Sequence, residues 1–122
     1  MMQQDCVFSA NQTSLSTERV KDNITPLDSG LLLDFCIALS PSMYSRIDLE
    51  PNARIGLIAE RVQEQIAEHS LPTNIIGTRY EAIGDGPIEE LLGVDYARLS
   101  VCLLGAVKQL TTRIAQLESQ MQ

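Results

Sequence analysis

Few side chains in this sequence are spaced to do chemistry by themselves. Cys6, Cys36 and Cys102 are three, far apart, and His69 is the single histidine, so no CxxC and no paired-histidine spacing is formed. An odd number of scattered cysteines reads as free thiols in a reducing compartment. Cys36 and Cys102 stand inside apolar runs, which is the setting of small core residues rather than attacking thiols. His69 follows a segment of mixed charge, has no serine or cysteine that sequence marks as a catalytic partner, and reads as a surface residue, while Asp85, between Gly84 and Gly86, reads as a turn residue. There is no metal-ligand spacing, phosphate loop or carboxylate pair, so neither metal nor cofactor is expected. What remains is Ser16-Thr17-Glu18-Arg19-Val20-Lys21-Asp22-Asn23-Ile24. On its own residues it is a solvated turn or short helix, with Ser16 as a cap and Lys21 as a solvated charge.

The bulk numbers narrow the function classes. A chain of 122 residues makes one domain with a modest core. Nine basic against sixteen acidic residues give a net charge of −7, which opposes a phosphate backbone and an anionic membrane surface, so neither nucleic acid nor membrane is expected as a partner. No stretch reaches the roughly eighteen apolar residues of a membrane span, and the acidic N-terminus lacks the basic lead and apolar core of a secretion signal, which points to the cytoplasm. Trp is absent and aromatics are few, so the core must be aliphatic.

Whatever Ser16 and Lys21 do, other elements must position them. Residues 1–15 are rich in Gln, Ser, Asn and Thr and read as an extended lead-in. Thr25-Pro26-Leu27-Asp28 reads as a helix start, with Leu27, Leu31, Phe35 and Leu39 on one face and Ser40-Pro41 as the stop. Met43 to Ile47 and Arg54 to Ile58 read as a hairpin about the polar turn Asp48 to Ala53. From Ala59 the period becomes helical, with Ala59, Val62 and Ile66 on one face, until Leu71-Pro72. Asn74 to Ile83 is β-leaning, Gly84-Asp85-Gly86-Pro87 turns, and Leu91 to Tyr96 is a last short strand.

The end of the chain, Ala97 to Met121, carries the strongest pattern. Leu103, Val107, Leu110, Ile114, Leu117 and Met121 are spaced four, three, four, three and four apart, which is a heptad seam that wants a copy of itself. With the leucines at d and Val107 and Ile114 at a, Arg113 falls at g and Glu118 at the following e, an opposite-charge pairing that favours parallel helices. This choice of a and d residues leans toward two strands; a contribution of the globular part to the interface leans toward three. Asp95 offers the cap for the first turn.

Four pieces in this order resemble a known family. Ser16-Thr17-Glu18-Arg19-Val20-Lys21-Asp22-Asn23-Ile24 is similar to the Ser-Asp-x-Arg-Leu-Lys-x-Asn-Ile of the intramolecular chaperone auto-processing domain found at the C-terminus of phage tail spikes and fibres, the endosialidase type. Ile55-Gly56-Leu57-Ile58-Ala59-Glu60-Arg61-Val62-Gln63-Glu64 resembles its strand and helix. Gly93-Val94-Asp95-Tyr96-Ala97-Arg98-Leu99 resembles its Val-Asp-Tyr-x-x-Leu, and Ala106-Val107-Lys108-Gln109-Leu110 its coil. The likeness spans about Ser16 to Glu118, and Thr17 stands where the family has Asp.

The resemblance implies an α+β fold, mainly helical with short β-hairpins, whose long C-terminal helix forms a parallel trimeric coiled coil. It implies a homotrimer that assists folding of an attached N-terminal β-rich fibre or spike stalk in the bacterial cytoplasm during phage assembly, then releases itself from the mature virion protein. Residues 1–15 would be the end of the upstream stalk, residues 16–122 the auto-processing domain, Ser16 the nucleophile, Lys21 its base, and Leu15-Ser16 the bond broken.

A serine hydroxyl is a poor nucleophile until a base takes its proton, and a neutral lysine can do so. The lysine must first shed its charge, through burial or a nearby cation; Arg19 is one candidate. A once-only cut is undemanding, since a half-life of about an hour corresponds to a barrier of roughly 22 kcal/mol. Spacing is the obstacle: five residues apart lies about 140° round a regular helix and on opposite faces of a strand. A turn or helix start between the two, or completion across subunits, is therefore expected. Two alternatives stand beside self-cleavage: a non-catalytic trimerisation module of the same fold, and a small cytoplasmic adaptor whose coil recruits another helical protein.

Overall fold

In the computed structural model, which describes residues 14–122, a 3-10 turn at Glu18–Val20 leads to helix α1 at Ser29–Ala38. A hairpin of β1 (Ser42–Tyr44) and β2 (Arg54–Gly56) and helix α2 at Ala59–Glu68 follow. Another 3-10 turn at Thr73–Ile75, a hairpin of β3 (Ile76–Ala82) and β4 (Ile88–Val94), and helix α3 at Tyr96–Gln120 complete the chain. Both hairpins are antiparallel and each forms its own two-stranded sheet, with Met43 opposite Ile55 in the first and Arg79 opposite Leu91 in the second. The class is α+β with a long terminal helix.

Helix α1 starts later than its sequence suggests. Asp28, not Thr25, is the cap: its Oδ1 accepts from the backbone N–H of Gly30 at 2.8 Å and of Leu31 at 3.3 Å. Two cap signals compete in Thr25-Pro26-Leu27-Asp28, and the carboxylate that reaches two free amides prevails. The buried face shifts with it. Leu32, Leu33 and Phe35 are buried, Leu31 is partly so, and Leu27 is half exposed. In the run Leu31-Leu32-Leu33 apolar residues occupy every position, so the four-residue period carries no phase.

The first hairpin is shorter than expected at both ends. Arg46 Nε and Nη2 donate to the Asp48 carboxylate at 2.9 and 2.6 Å, closing a local loop that takes Ile47 out of the ladder. The Leu57 N–H donates to the Tyr96 hydroxyl at 3.0 Å instead of to a strand, so β2 stops at Gly56. A side chain at Gly56 would stand 2.9 Å from that hydroxyl, which is why the approach needs glycine. Strand β4 begins at Ile88, earlier than the Leu91 to Tyr96 reading, because its first half, which holds Glu89 and Glu90, is paired but exposed. It ends at Val94, where Asp95 turns away to cap α3.

The core is made by the helices: Leu32 and Phe35 from α1, Val62 and Ile66 from α2, Leu71 and Ile75 from the link, and Leu99 and Cys102 from α3. Phe35 is fully buried, and the His69 ring meets it edge-on with centroids 5.8 Å apart. His69 is therefore partly buried and not a plain surface residue; its Nδ1 lies 2.8 Å from the Gln65 carbonyl, closing the end of α2. Gly105 sets the distance between α1 and α3, since a Cβ there would press on the Leu32 side chain.

Helix α3 has two different halves. On its first half Leu99, Cys102 and Ala106 are buried against α1, and Ser29 Oγ donates to Gln109 Oε1 at 2.8 Å. From Leu110 onward every residue is exposed, and the seam residues Leu103, Val107, Leu110, Ile114, Leu117 and Met121 all face solvent. Asp95 starts the helix: it accepts from the Arg98 N–H at 3.0 Å and pairs with the Arg98 guanidinium at 2.8 Å. Among the described residues no helix is long and apolar enough to cross a membrane.

Candidate functional site

Extended backbone on both sides of a single tight turn brings the two candidate residues together. Thr17 caps the 3-10 turn Glu18–Val20, its hydroxyl accepting from the Arg19 N–H at 3.3 Å, and both Thr17 and Lys21 have extended backbone. The chain thus leaves and re-enters the extended state across three residues, and Ser16 and Lys21 fall on the same side. Lys21 Nζ donates to Ser16 Oγ at 2.6 Å. The 140° separation of a continuous helix does not apply, because there is no continuous helix.

Two neighbours hold this geometry. Thr17 does the capping that an aspartate would do, so the departure from the family wording preserves the turn. Asn23 has φ of +50°, in the left-handed region that asparagine tolerates better than most residues, and its N–H donates to the Asp22 carboxylate at 2.8 Å. It bends the chain just after Lys21. Asparagine after a charged run was the only sign of this in the sequence. Arg19 sits within the turn, exposed, with its backbone rather than its guanidinium tied to Thr17.

The site is open. Every residue from 14 to 28 is exposed, including Leu15 before the candidate bond and the apolar side chains of Val20, Ile24 and Leu27. The Leu15 to Ser16 peptide is therefore reachable. The hydrogen bond has the ammonium donating to the hydroxyl; proton abstraction needs the reverse polarity, hence a neutral amine.

The remaining reactive groups are structural. Cys102 is buried and Cys36 partly so, and burial pushes both thiols above their ordinary range, with Cys102 adding to the effect on Cys36. That suppresses the thiolate needed for attack. Cys6 lies outside the described residues. Asp85 lies in the β3–β4 turn, and no cluster of three or more metal-ligating side chains occurs among the described residues.

No protein-family model matches the sequence, and no curated protein does. Solved structures do. One described as a novel intramolecular chaperone superposes with a TM-score of 0.61 at 14% identity, over 80% of this chain and 99% of its own. Another, the carboxy-terminal domain of the bacteriophage T5 L-shaped tail fibre with its intramolecular chaperone domain, gives a TM-score of 0.57 at 10% identity, over 90% of this chain and 32% of that one. The chain has the fold of an intramolecular chaperone domain. At these identities it is the fold that is shared.

Proposed function

We propose that this chain is a C-terminal intramolecular chaperone: it trimerises, assists folding of an N-terminal β-rich phage fibre or spike, and releases itself by cutting Leu15-Ser16. Residues 1–15 then belong to the client and 16–122 to the chaperone, acting in the bacterial cytoplasm during assembly. The observation that carries the cutting reaction is the 2.6 Å contact between Lys21 Nζ and Ser16 Oγ beside an exposed Leu15. The exposed α3 seam supports self-association, and the shared fold supports the chaperone role.

In the reaction, neutral Lys21 takes the Ser16 hydroxyl proton and Oγ attacks the Leu15 carbonyl carbon through a five-membered ring. The C–N bond to Ser16 breaks, its nitrogen taking the proton back from Lys21, and an ester joins Leu15 to Ser16 Oγ. Water activated by Lys21 hydrolyses that ester, restoring Ser16 as a new N-terminus and freeing a fragment that ends at Leu15. Among the described residues nothing covers the pair, so on this reading the desolvation that favours a neutral lysine comes from a neighbouring copy or from the folded client.

Intact mass of freshly expressed protein tests this directly. The parent chain is expected to lose the fragment ending at Leu15, while Ser16→Ala and Lys21→Met remain whole. A dilution series is expected to slow the cut as oligomer is lost. If the parent remains uncut when assembled, the full exposure of the pair favours the second reading, a trimerisation module that stays attached to its client.

A further inference from the structure

Helix α3 carries more apolar surface than its seam. Leu104 is 61% exposed and lies at the e position, about 100° round the helix from Leu103 and on the side away from α1. On the opposite flank, at g, Leu99 is buried against its own subunit and helps to line an open apolar cavity of about 510 Å³. Cys36 of α1, Leu39 just after it, Ile55 of the first hairpin, Leu57 just beyond it, and Tyr96 line it too. The seam residue Leu103 lines it as well, so the cavity adjoins the seam.

In a parallel coil each g residue meets the e residue five positions later on the next helix. Along α3 this rule pairs Leu99 with Leu104, Ala106 with Thr111, and Arg113 with Glu118. Apolar meets apolar, small meets small, and basic meets acidic. The two flanks thus complement each other between copies of this chain. Because Leu99 is already covered by its own subunit, an incoming Leu104 on that flank reaches the cavity beside it.

We infer that Leu104 of one copy seats in the cavity bounded by α1, the first hairpin and Leu99 of the next copy. The globular part of each subunit thereby grips its neighbour's coil. This rests on the proposed self-association, and it explains how a seam of about three heptads, short for a free-standing coil, is held in register. It also makes the contact directional, since each copy offers a leucine to one neighbour and a cavity to the other.

Sedimentation equilibrium on the full chain, with Leu104→Asp and Val101→Asp beside the parent, tests the contact. Val101 is similarly exposed, at 56%, but faces away from the seam. Leu104→Asp is expected to weaken association at least about tenfold, because a carboxylate would enter an apolar site, while Val101→Asp associates like the parent. As a check that does not depend on whether Leu104→Asp folds, a Leu104→Cys variant in a Cys6→Ser background is oxidised with diamide and run on a non-reducing gel. Cross-linked copies that vanish with Cys36→Ser are expected, since within one chain α3 itself separates the two thiols. An associated parent whose Leu104→Asp variant associates equally well, or whose Leu104→Cys variant forms no Cys36-dependent bridge, overturns this contact alone. A monomeric parent overturns the self-association as well.

Discussion

The strap at residues 14–28 runs directly into α1, yet it and the α1–α3 packing are opposites in physics. In the strap every side chain is exposed, and its hydrogen bonds at Ser16, Thr17 and Asp22 link residues no more than five apart. In the packing, Phe35, Leu32, Leu99 and Cys102 come from helices some 65 residues apart in sequence and exclude water almost completely. One region is finished within a single chain. The other is wired locally but, among the described residues, left largely uncovered, with the apolar side chains of Leu15, Val20, Ile24 and Leu27 all exposed by half or more. The lesson is that the fold and the proposed chemistry are separable: the core sets where the strap ends, through the Asp28 cap, and on the proposed reading the conditions for reaction come from whatever later covers the strap.

The sharpest way to break that comparison is Phe35→Ala. Removing a fully buried ring is expected to cost about 3–5 kcal/mol in urea unfolding, whereas Ser16→Ala in the strap should stay within about 0.5 kcal/mol of the parent. A Ser16→Ala loss as large as the Phe35→Ala loss would mean that the strap is part of the core, and the separation would fail. The denaturant slope should be the same for both variants if only stability has changed.

A smaller effect is expected at Gly105. An alanine there gains about 1 kcal/mol of helix propensity over glycine. Its Cβ, however, would stand 3.3 Å from Leu32 Cβ and Cγ and closer still to Cδ1, and Leu32 is itself locked in the core. Overpacking of this kind costs about 1–3 kcal/mol, so the net change should be a loss of about 1 kcal/mol. A stabilised Gly105→Ala would show that α1 and α3 are less tightly apposed than their backbone positions indicate.

How much of this was legible in the residues depends on whether local signals agreed. Asp95 followed by a heptad fixed the start and direction of α3, because cap and period point to the same place. In Thr25 to Asp28 two caps disagreed, and in Leu31-Leu32-Leu33 there was no period to read, so the start and face of α1 were misplaced. The ends of the first hairpin depended on Tyr96, 39 residues beyond Leu57, which no local reading includes. His69 found its place only when α1 brought Phe35 to it. Spacing alone did not pair Ser16 with Lys21, since five residues suit neither helix nor strand; the family resemblance did, and the turn expected between them is the 3-10 turn flanked by extended backbone.

The smallest effect belongs to Asp95, which starts the helix that carries one side of the packing and the seam. The Arg98 N–H donating to it, with the Arg98 guanidinium adding to the effect, holds its carboxyl below the ordinary value of 3.8. Because the folded-state value is depressed, its contribution to stability is present above pH 3.8 and is lost as the pH falls through the lower folded-state value. Asp95→Asn keeps a cap oxygen but removes the charge. Its unfolding midpoint should therefore lie slightly below the parent's near neutrality and converge on it in acid, with other carboxylates titrating equally in both. Parallel curves over that range would show that the cap acts as a neutral hydrogen-bond acceptor and that its charge contributes nothing to starting α3.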